Sequence, residues 1–130
     1  MSRVRVLVVD DDDFMLELVA EQLEQIEFAD VVPVSDGWSA LAFVDDEVAR
    51  PDLIVFDLGL TGLHGTEMIR LLADRGYRGG LVVMSGSSGH VLSAAVEIGE
   101  GYGLWMIAGV AKPVDPAGLR AAVEQVQRQL

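Results

Sequence analysis

Four of the five apolar runs in this chain are followed directly by polar side chains that could take part in chemistry. In chain order these are Asp10 and Asp11, Asp57, Ser85 and Lys112. Carboxylates that converge on one place repel one another unless protons or a cation compensate them, which favours a divalent ion with oxygen ligands. Magnesium is the natural candidate, because it needs only one or two protein carboxylates and also takes a phosphoryl oxygen. A carboxylate beside such an ion can attack phosphorus to form an acyl phosphate, and Asp57, whose neighbours are apolar or small, best suits that role.

Lys112 and Ser85 suit the remaining parts of such a site. Lys112 is the only lysine among nine basic residues. Lysine supplies a compact point charge that can pair with a carboxylate or a phosphoryl group. Ser85 offers one hydroxyl hydrogen bond, and Gly86 after it leaves room, although a serine in a turn rich in serine and glycine explains the position equally well. Asp12 and Asp13 are interpreted as a helix N-cap and a first-turn acid.

Short apolar runs alternate with segments of helical spacing along the whole chain. The runs are rich in β-branched residues and have the length of strands. Runs that are apolar throughout indicate strands covered on both faces, and the alternation indicates parallel strands joined by right-handed crossovers. The sequence therefore predicts an α/β fold, a doubly wound five-stranded parallel sheet of order 2-1-3-4-5 in a flavodoxin-like (βα)5 sandwich. The predicted strands are residues 4–9, 31–34, 53–56, 81–84 and 106–111.

Cap and turn residues divide the chain in the same way. Ser35, Asp36 and Gly37 form a break before the second helix, and Asp115 followed by Pro116 is typical of a capped helix start. Apolar spacing from Leu41 onward predicts that the second helix reaches Val48.

The composition limits the classes of function. The chain has 130 residues, of which 9 are basic and 21 acidic, a formal charge of −12, and 51% are apolar. This length and apolar content predict one domain over residues 1–130. The negative charge disfavours direct nucleic-acid binding, and the lack of cysteine with the wide separation of His64 and His90 argues against a zinc site. The apolar runs are too short for a signal peptide or a membrane span, so we expect a cytoplasmic protein that does not engage membranes.

Five ordered blocks of the sequence resemble the signature blocks of the CheY-like receiver domain of two-component response regulators. The blocks are distributed over nearly the whole chain, and they include every candidate site residue named above. The resemblance implies a phosphorylation-dependent signalling domain whose only chemistry is self-catalysed phosphorylation and slow dephosphorylation. The blocks are VLVVDDD at residues 6–12, PDLIVFDL at 51–58, LTGLHG at 60–65, VMSG at 83–86 and KPV at 112–114.

The resemblance also implies a role for each site residue. Asp57 would accept a phosphoryl group from a histidine kinase or a phosphotransfer protein. Asp10 and Asp11 would form the acidic pocket for Mg²⁺ with Asp57, and Gly59 would lend its backbone carbonyl to the metal. Phosphorylation would then shift the surface made by the fourth helix, fifth strand and fifth helix towards an effector. The two remaining implied roles are a hydroxyl switch residue, Ser85, and a phosphate-contacting lysine, Lys112.

Three positions depart from the family's usual pattern. Thr61 stands where the family usually has proline, and His64 where it usually has aspartate, which affects the rigidity of that loop rather than the chemistry. Gly109 stands where most members carry tyrosine or phenylalanine, so this chain has no aromatic side chain to move there. The stretch of residues 99–106 also departs from the pattern and looks extended, and we expect a flexible connection between the fourth helix and the fifth strand.

An aspartate-nucleophile phosphohydrolase of the haloacid-dehalogenase type is the alternative from another class. Residues 57–62 mimic its first motif, and Ser85 and Lys112 could be its later members. Gly59, however, stands where that motif needs a second aspartate as general acid, and the acidic pair expected after the lysine lies at the chain start. A receiver that stores phosphate without switching is a further alternative.

Overall fold

Five parallel strands form one sheet in the order β2-β1-β3-β4-β5, as predicted. The computed structural model describes residues 2–87 and 89–130, so Ser88 in the serine and glycine run lies outside the described residues. The strands are β1 Val4–Val9, β2 Ala29–Val34, β3 Leu53–Asp57, β4 Gly80–Ser85 and β5 Trp105–Ala111. The helices are α1 Asp13–Glu24, α2 Gly37–Asp45, α3 Gly65–Asp74, α4 Gly89–Gly101 and α5 Pro116–Gln127.

Helices cover both faces of the sheet, because alternate residues of a strand point to opposite sides. Val6 and Val8 belong to the core shared with α1 and α5, whereas Leu7 and Val9 belong to the core shared with α2, α3 and α4. Every residue of β3 and β4 is buried, but most residues of β2 and β5 are half-buried or exposed. The prediction of strands covered on both faces is confirmed at the centre of the sheet. It is wrong for the two edge strands, which lie at the margins of the helix layers.

Side-chain caps start three of the helices, two of them at the predicted cap residues Asp12 and Asp115. The Asp12 carboxylate accepts hydrogen bonds from the backbone N–H groups of Phe14 and Met15. Asp36 caps α2, and Asp115 caps α5 with proline in the first turn. These bonds satisfy backbone donors that have no partner within the helix. Among the described residues, no helix combines the length and apolar composition that a membrane span requires.

The second helix is shorter than its apolar spacing predicts. It ends at Asp45, and Asp46 has an extended backbone conformation. The Asp46 carboxylate accepts a hydrogen bond from the N–H of Val48, which forms a turn in place of another helical turn. Val48 is 79% exposed, so its place in the predicted apolar stripe was wrong.

The connection between α4 and β5 is short, in contrast to the extended, flexible segment predicted. Only residues 102–104 separate the two elements. Gly103 has a φ of 81°, and the N–H groups of Gly103 and Leu104 donate to the carbonyls of Glu100 and Gly99. This pattern is a helix C-cap in which a glycine adopts the left-handed conformation, and it closes the helix within one turn.

Gly109 brings α4 directly against β5. A Cβ atom at this position would lie 3.3 Å from Leu92 Cβ and 3.3 Å from Val96 Cγ2, both on α4. The helix therefore occupies the space into which a side chain at Gly109 would project.

Gly65 permits a contact at the start of α3 that is closer than the one at Gly109, and we expect its replacement to destabilise the fold. A Cβ atom here would lie 2.7 Å from the Cα atom of Leu58, a backbone atom that cannot rotate away. Gly65→Ala should lower the free energy of unfolding by about 2 kcal/mol through overpacking. The matched control is Gly118→Ala in α5, where a Cβ atom meets nothing within 4 Å. That variant should gain about 0.5 kcal/mol from helix propensity. Urea unfolding of both variants tests this, and equal effects would contradict it.

Candidate functional site

The strand order brings the predicted site residues to one edge of the sheet. Asp57 is the last residue of β3 and Ser85 the last of β4, while Asp10 and Lys112 directly follow β1 and β5. Because β1 and β3 are neighbours, Asp10 lies beside Asp57 although 47 positions separate them in the chain. The backbone N–H of Lys112 donates to the Ser85 carbonyl over 2.9 Å, which continues the β4–β5 pairing to the site.

Three carboxylates form a cluster at this edge. Asp10, Asp11 and Asp57 each offer one oxygen atom, and these oxygens all lie within 4.8 Å of one another. Asp10 is fully buried and Asp57 is 8% exposed, whereas Asp11 faces solvent. An all-oxygen set of this spacing fits a hard divalent cation such as Mg²⁺ or Ca²⁺. The cluster could therefore hold a metal ion.

Lys112 joins the two buried carboxylates. Its Nζ atom lies 2.8 Å from Asp10 Oδ2 and 3.1 Å from Asp57 Oδ2, and its side chain is 16% exposed. With three carboxylates and one ammonium group, the formal charge of the cluster is −3 + 1 = −2. One divalent cation would neutralise that charge, so the charge balance agrees with the oxygen ligands.

The site perturbs the acidity of its members in different directions. Burial raises the pKa of Asp10, and the hydrogen bond from Lys112 offsets only part of this effect. Burial by itself would lower the pKa of Lys112, but the hydrogen bonds to Asp10 and Asp57 outweigh it and raise that pKa. Hydrogen bonds from Thr61 lower the pKa of Asp11. The cost of burying a carboxylate therefore falls on Asp10, whereas Asp11 stays at the surface and is stabilised by Thr61.

Ser85 and Gly59 both lie next to the cluster. The Ser85 hydroxyl oxygen accepts a hydrogen bond from the Ser87 N–H over 3.0 Å, which is the turn interaction that the sequence left as an alternative. That bond uses a lone pair of the oxygen, so the hydroxyl hydrogen stays available as a donor. The N–H of Gly59 donates to Asp57 Oδ1 over 3.2 Å, and a Cβ atom at Gly59 would lie 3.5 Å from Asp57 Oδ2. The absence of a side chain at Gly59 keeps that approach to the carboxylate open.

Thr61 is the site residue that sequence reasoning did not identify. Both its backbone N–H and its hydroxyl donate to Asp11 Oδ2, over 2.9 Å and 2.7 Å. The sequence pointed to this position only as a departure in a loop. The residue type could have identified it, because a threonine at this position has two hydrogen-bond donors, its backbone N–H and its hydroxyl, whereas proline has none.

A comparison with protein-family models finds one match over nearly the whole chain. The model described as "Response regulator receiver domain" matches residues 6–124. That range includes the three clustered carboxylates together with Ser85 and Lys112.

Individual proteins and structures are also similar to this chain. A protein-glutamate methylesterase/protein-glutamine glutaminase of Koribacter versatilis is 31% identical over 117 residues, which are 89% of this chain and 31% of that protein. The DNA-binding response regulator MtrA of Mycobacterium tuberculosis is 41% identical over 75 residues, 57% of this chain and 32% of that protein. The chain thus spans about a third of the length of these curated relatives. The receiver domain of Francisella response regulator 1452 superposes with a TM-score of 0.82 at 20% identity, covering 98% of both chains, and supports the fold alone.

We expect removal of the Lys112 charge to destabilise the metal-free protein in a pH-dependent way. In Lys112→Met the Asp10 carboxylate stays buried without its ion-pair partner, which should cost about 3 kcal/mol near neutral pH. A carboxyl group whose pKa is higher in the folded protein favours folding at low pH, and this advantage is lost as the pH rises through the folded pKa. The deficit of the variant should therefore shrink as the pH falls through the raised pKa of Asp10, because the protonated group no longer needs an ion-pair partner.

Free energies of unfolding, measured from neutral to acid pH in the presence of a chelator, test the prediction. Arg70→Met is the matched control, because Arg70 pairs with Asp74 on the exposed surface of α3. Loss of that surface pair should cost less than about 1 kcal/mol. A deficit in Lys112→Met that is equally large in acid would contradict the role of Asp10.

Proposed function

This chain belongs to the response regulator receiver domain family, and we propose that it accepts a phosphoryl group on Asp57 in a two-component phosphorelay. The observation that carries the proposal is the position of Asp57 at the carboxyl end of a central strand, within the carboxylate cluster and 3.1 Å from the Lys112 ammonium group. Sheets of this topology bind their ligands at this edge. We further propose that residues 1–130 make up one receiver domain.

The chemistry assigned to Asp57 is a single phosphoryl transfer. A carboxylate oxygen attacks the phosphorus of a phosphohistidine, the phosphorus–nitrogen bond breaks, and its electron pair stays on the imidazole of the donor. The Lys112 ammonium group, already 3.1 Å from the Asp57 carboxylate, stabilises the negative charge of the transferred group. The Ser85 hydroxyl donates to a phosphoryl oxygen. The donor is a histidine kinase or a phosphotransfer protein, the class of partner with which receiver domains act.

The same assignment makes the carboxylate cluster a Mg²⁺ site. Asp10, Asp11 and Asp57 would hold the ion, with the backbone carbonyl of Gly59 as a further ligand. Bound there, Mg²⁺ supplies positive charge to the phosphoryl oxygens and relieves the repulsion among the carboxylates.

The domain is proposed to be modified once rather than to turn over substrate. A phosphohydrolase of the alternative class needs a second aspartate as general acid at the position of Gly59, which offers no proton. Family membership likewise favours the receiver interpretation. Phosphate release should accordingly be slow, and an added phosphomonoester should not be hydrolysed at an appreciable rate.

Intact-mass measurement after incubation with acetyl phosphate and Mg²⁺ tests the phosphoacceptor. The wild-type chain should gain one phosphoryl group. Asp57→Asn should gain none, because it lacks the nucleophilic carboxylate. Asp13→Asn is the matched control, since Asp13 is a first-turn acid of α1 outside the carboxylate cluster. It should be labelled like the wild type. Undiminished labelling of Asp57→Asn would refute the assignment.

We propose that the signal leaves the site through β4, α4 and β5. Ser85 ends β4, and its carbonyl bonds the N–H of Lys112 after β5, so a movement of Ser85 reaches both strands. The α4–β5 connection is short and hydrogen-bonded, and a Cβ atom at Gly109 would lie only 3.3 Å from side chains of α4. The movable element is therefore α4 as a packed unit, in place of a side chain at Gly109 or a flexible connection.

Hydrogen exchange with and without a stable phosphoryl analogue tests this route. Exchange should change mainly across residues 85–111, and little in α1 or α2, because the shift of α4 loosens or tightens its contacts with β5. No change, or a uniform change over the whole domain, would contradict the route and favour a receiver that only stores phosphate.

A further inference from the structure

We propose that Thr61 is a positioning residue that holds Asp11 at the edge of the carboxylate cluster in the orientation that receives the metal ion. This inference rests on the proposed function of the site and assigns a new role to a loop residue. Thr61 itself provides no ligand to the metal. It acts through Asp11, with which it shares two hydrogen bonds.

The two bonds orient the carboxylate because they end on the same atom. Asp11 Oδ2 accepts the N–H of Thr61 at 2.9 Å and the Thr61 hydroxyl at 2.7 Å. A carboxylate oxygen that accepts two donors from one residue is restricted in both side-chain torsions. The other oxygen, Oδ1, is engaged by neither of these two bonds, and we assign it to the cation.

Asp11 needs such a restraint more than the other two carboxylates do. Asp10 and Asp57 are buried, and both pair with Lys112. Asp11 is exposed and follows directly after Asp10, so repulsion from its two neighbours favours rotation into solvent. If the Asp11 side chain had to become ordered when the ion binds, the loss of side-chain entropy would lower the affinity for the ion.

Thr61 is able to provide the restraint because its own position is held by the core. It lies between Leu60 and Leu63, and each of these leucines is only 1% exposed. Leu63 also packs against the first turn of α2, where a Cβ atom at Gly37 would lie 2.6 Å from its side chain. The loop after β3 is thus anchored by buried leucines on both sides of Thr61, so Thr61 is held in place and orients Asp11.

Titration with magnesium chloride at constant ionic strength, followed by calorimetry, measures the consequence. Thr61→Val keeps the branched shape and the backbone N–H bond but loses the hydroxyl, and it should weaken Mg²⁺ binding about tenfold. Thr61→Ser retains the hydroxyl and should bind within about twofold of the wild type. Thr66→Val, the same substitution at an exposed position in the first turn of α3, is the matched control and should bind normally.

A double-mutant cycle separates positioning from a general effect on the fold. In an Asp11→Asn background, Thr61→Val should produce little further loss of Mg²⁺ affinity, because the group it positions no longer carries the charge. A tenfold loss that persists there would overturn the inference, and so would unchanged or tighter binding by Thr61→Val in the wild-type background. If Thr61→Val proves unfolded in chelator, Thr61→Ala enters the same cycle with the same expected outcomes.

The outcomes also distinguish this inference from the proposed function. Failure of the wild-type chain to bind Mg²⁺ would overturn the metal site and the inference with it. Normal wild-type binding, labelling that depends on Asp57 and an unchanged affinity in Thr61→Val would overturn the inference alone.

Discussion

One half-buried ammonium group, that of Lys112, pairs with the two buried carboxylates at the carboxyl edge of the sheet. Lys112 follows β5, yet its Nζ atom contacts carboxylates at the ends of β1 and β3, on the far side of β4. Two carboxylates with almost no exposure to solvent would otherwise repel each other, and burial itself already raises the pKa of Asp10. The contact ties three strands together at the place where the chemistry is proposed. The remaining charge of −2 leaves the edge prepared for a cation.

The rest of the fold serves to bring these groups to one place. Parallel strands deliver all their carboxyl ends to the same edge, and two layers of helices bury the strands that carry Asp57 and Ser85. Burial fixes the backbone positions of these residues, so the site has little freedom to relax away from its own repulsion. Close contacts at glycines, such as Gly65 against Leu58 and Gly109 against α4, keep the helices near the sheet.

The three carboxylates of the site are stabilised in two different ways. Asp10 and Asp57 are stabilised by Lys112 within the protein, whereas Asp11 is stabilised at the surface by donors from Thr61. The opposite pKa shifts of Asp10 and Asp11 follow from this difference. The cost of desolvation lies with the buried Asp10.

The sequence by itself determined the features that depend on residue type and short spacing. Apolar runs specify the strands, Asp12, Asp36 and Asp115 cap helices through donors two or three residues away, and the rule for parallel strand ends predicts that Asp57 lies near Lys112. Only the tertiary structure decided the contacts that depend on how loops settle after the strands pair. These are the bond between Thr61 and Asp11 and the exposure of the edge strands. The physical reason is range: a cap forms within one turn of helix, whereas Thr61 meets Asp11 across 50 positions only because the sheet holds both loops in place.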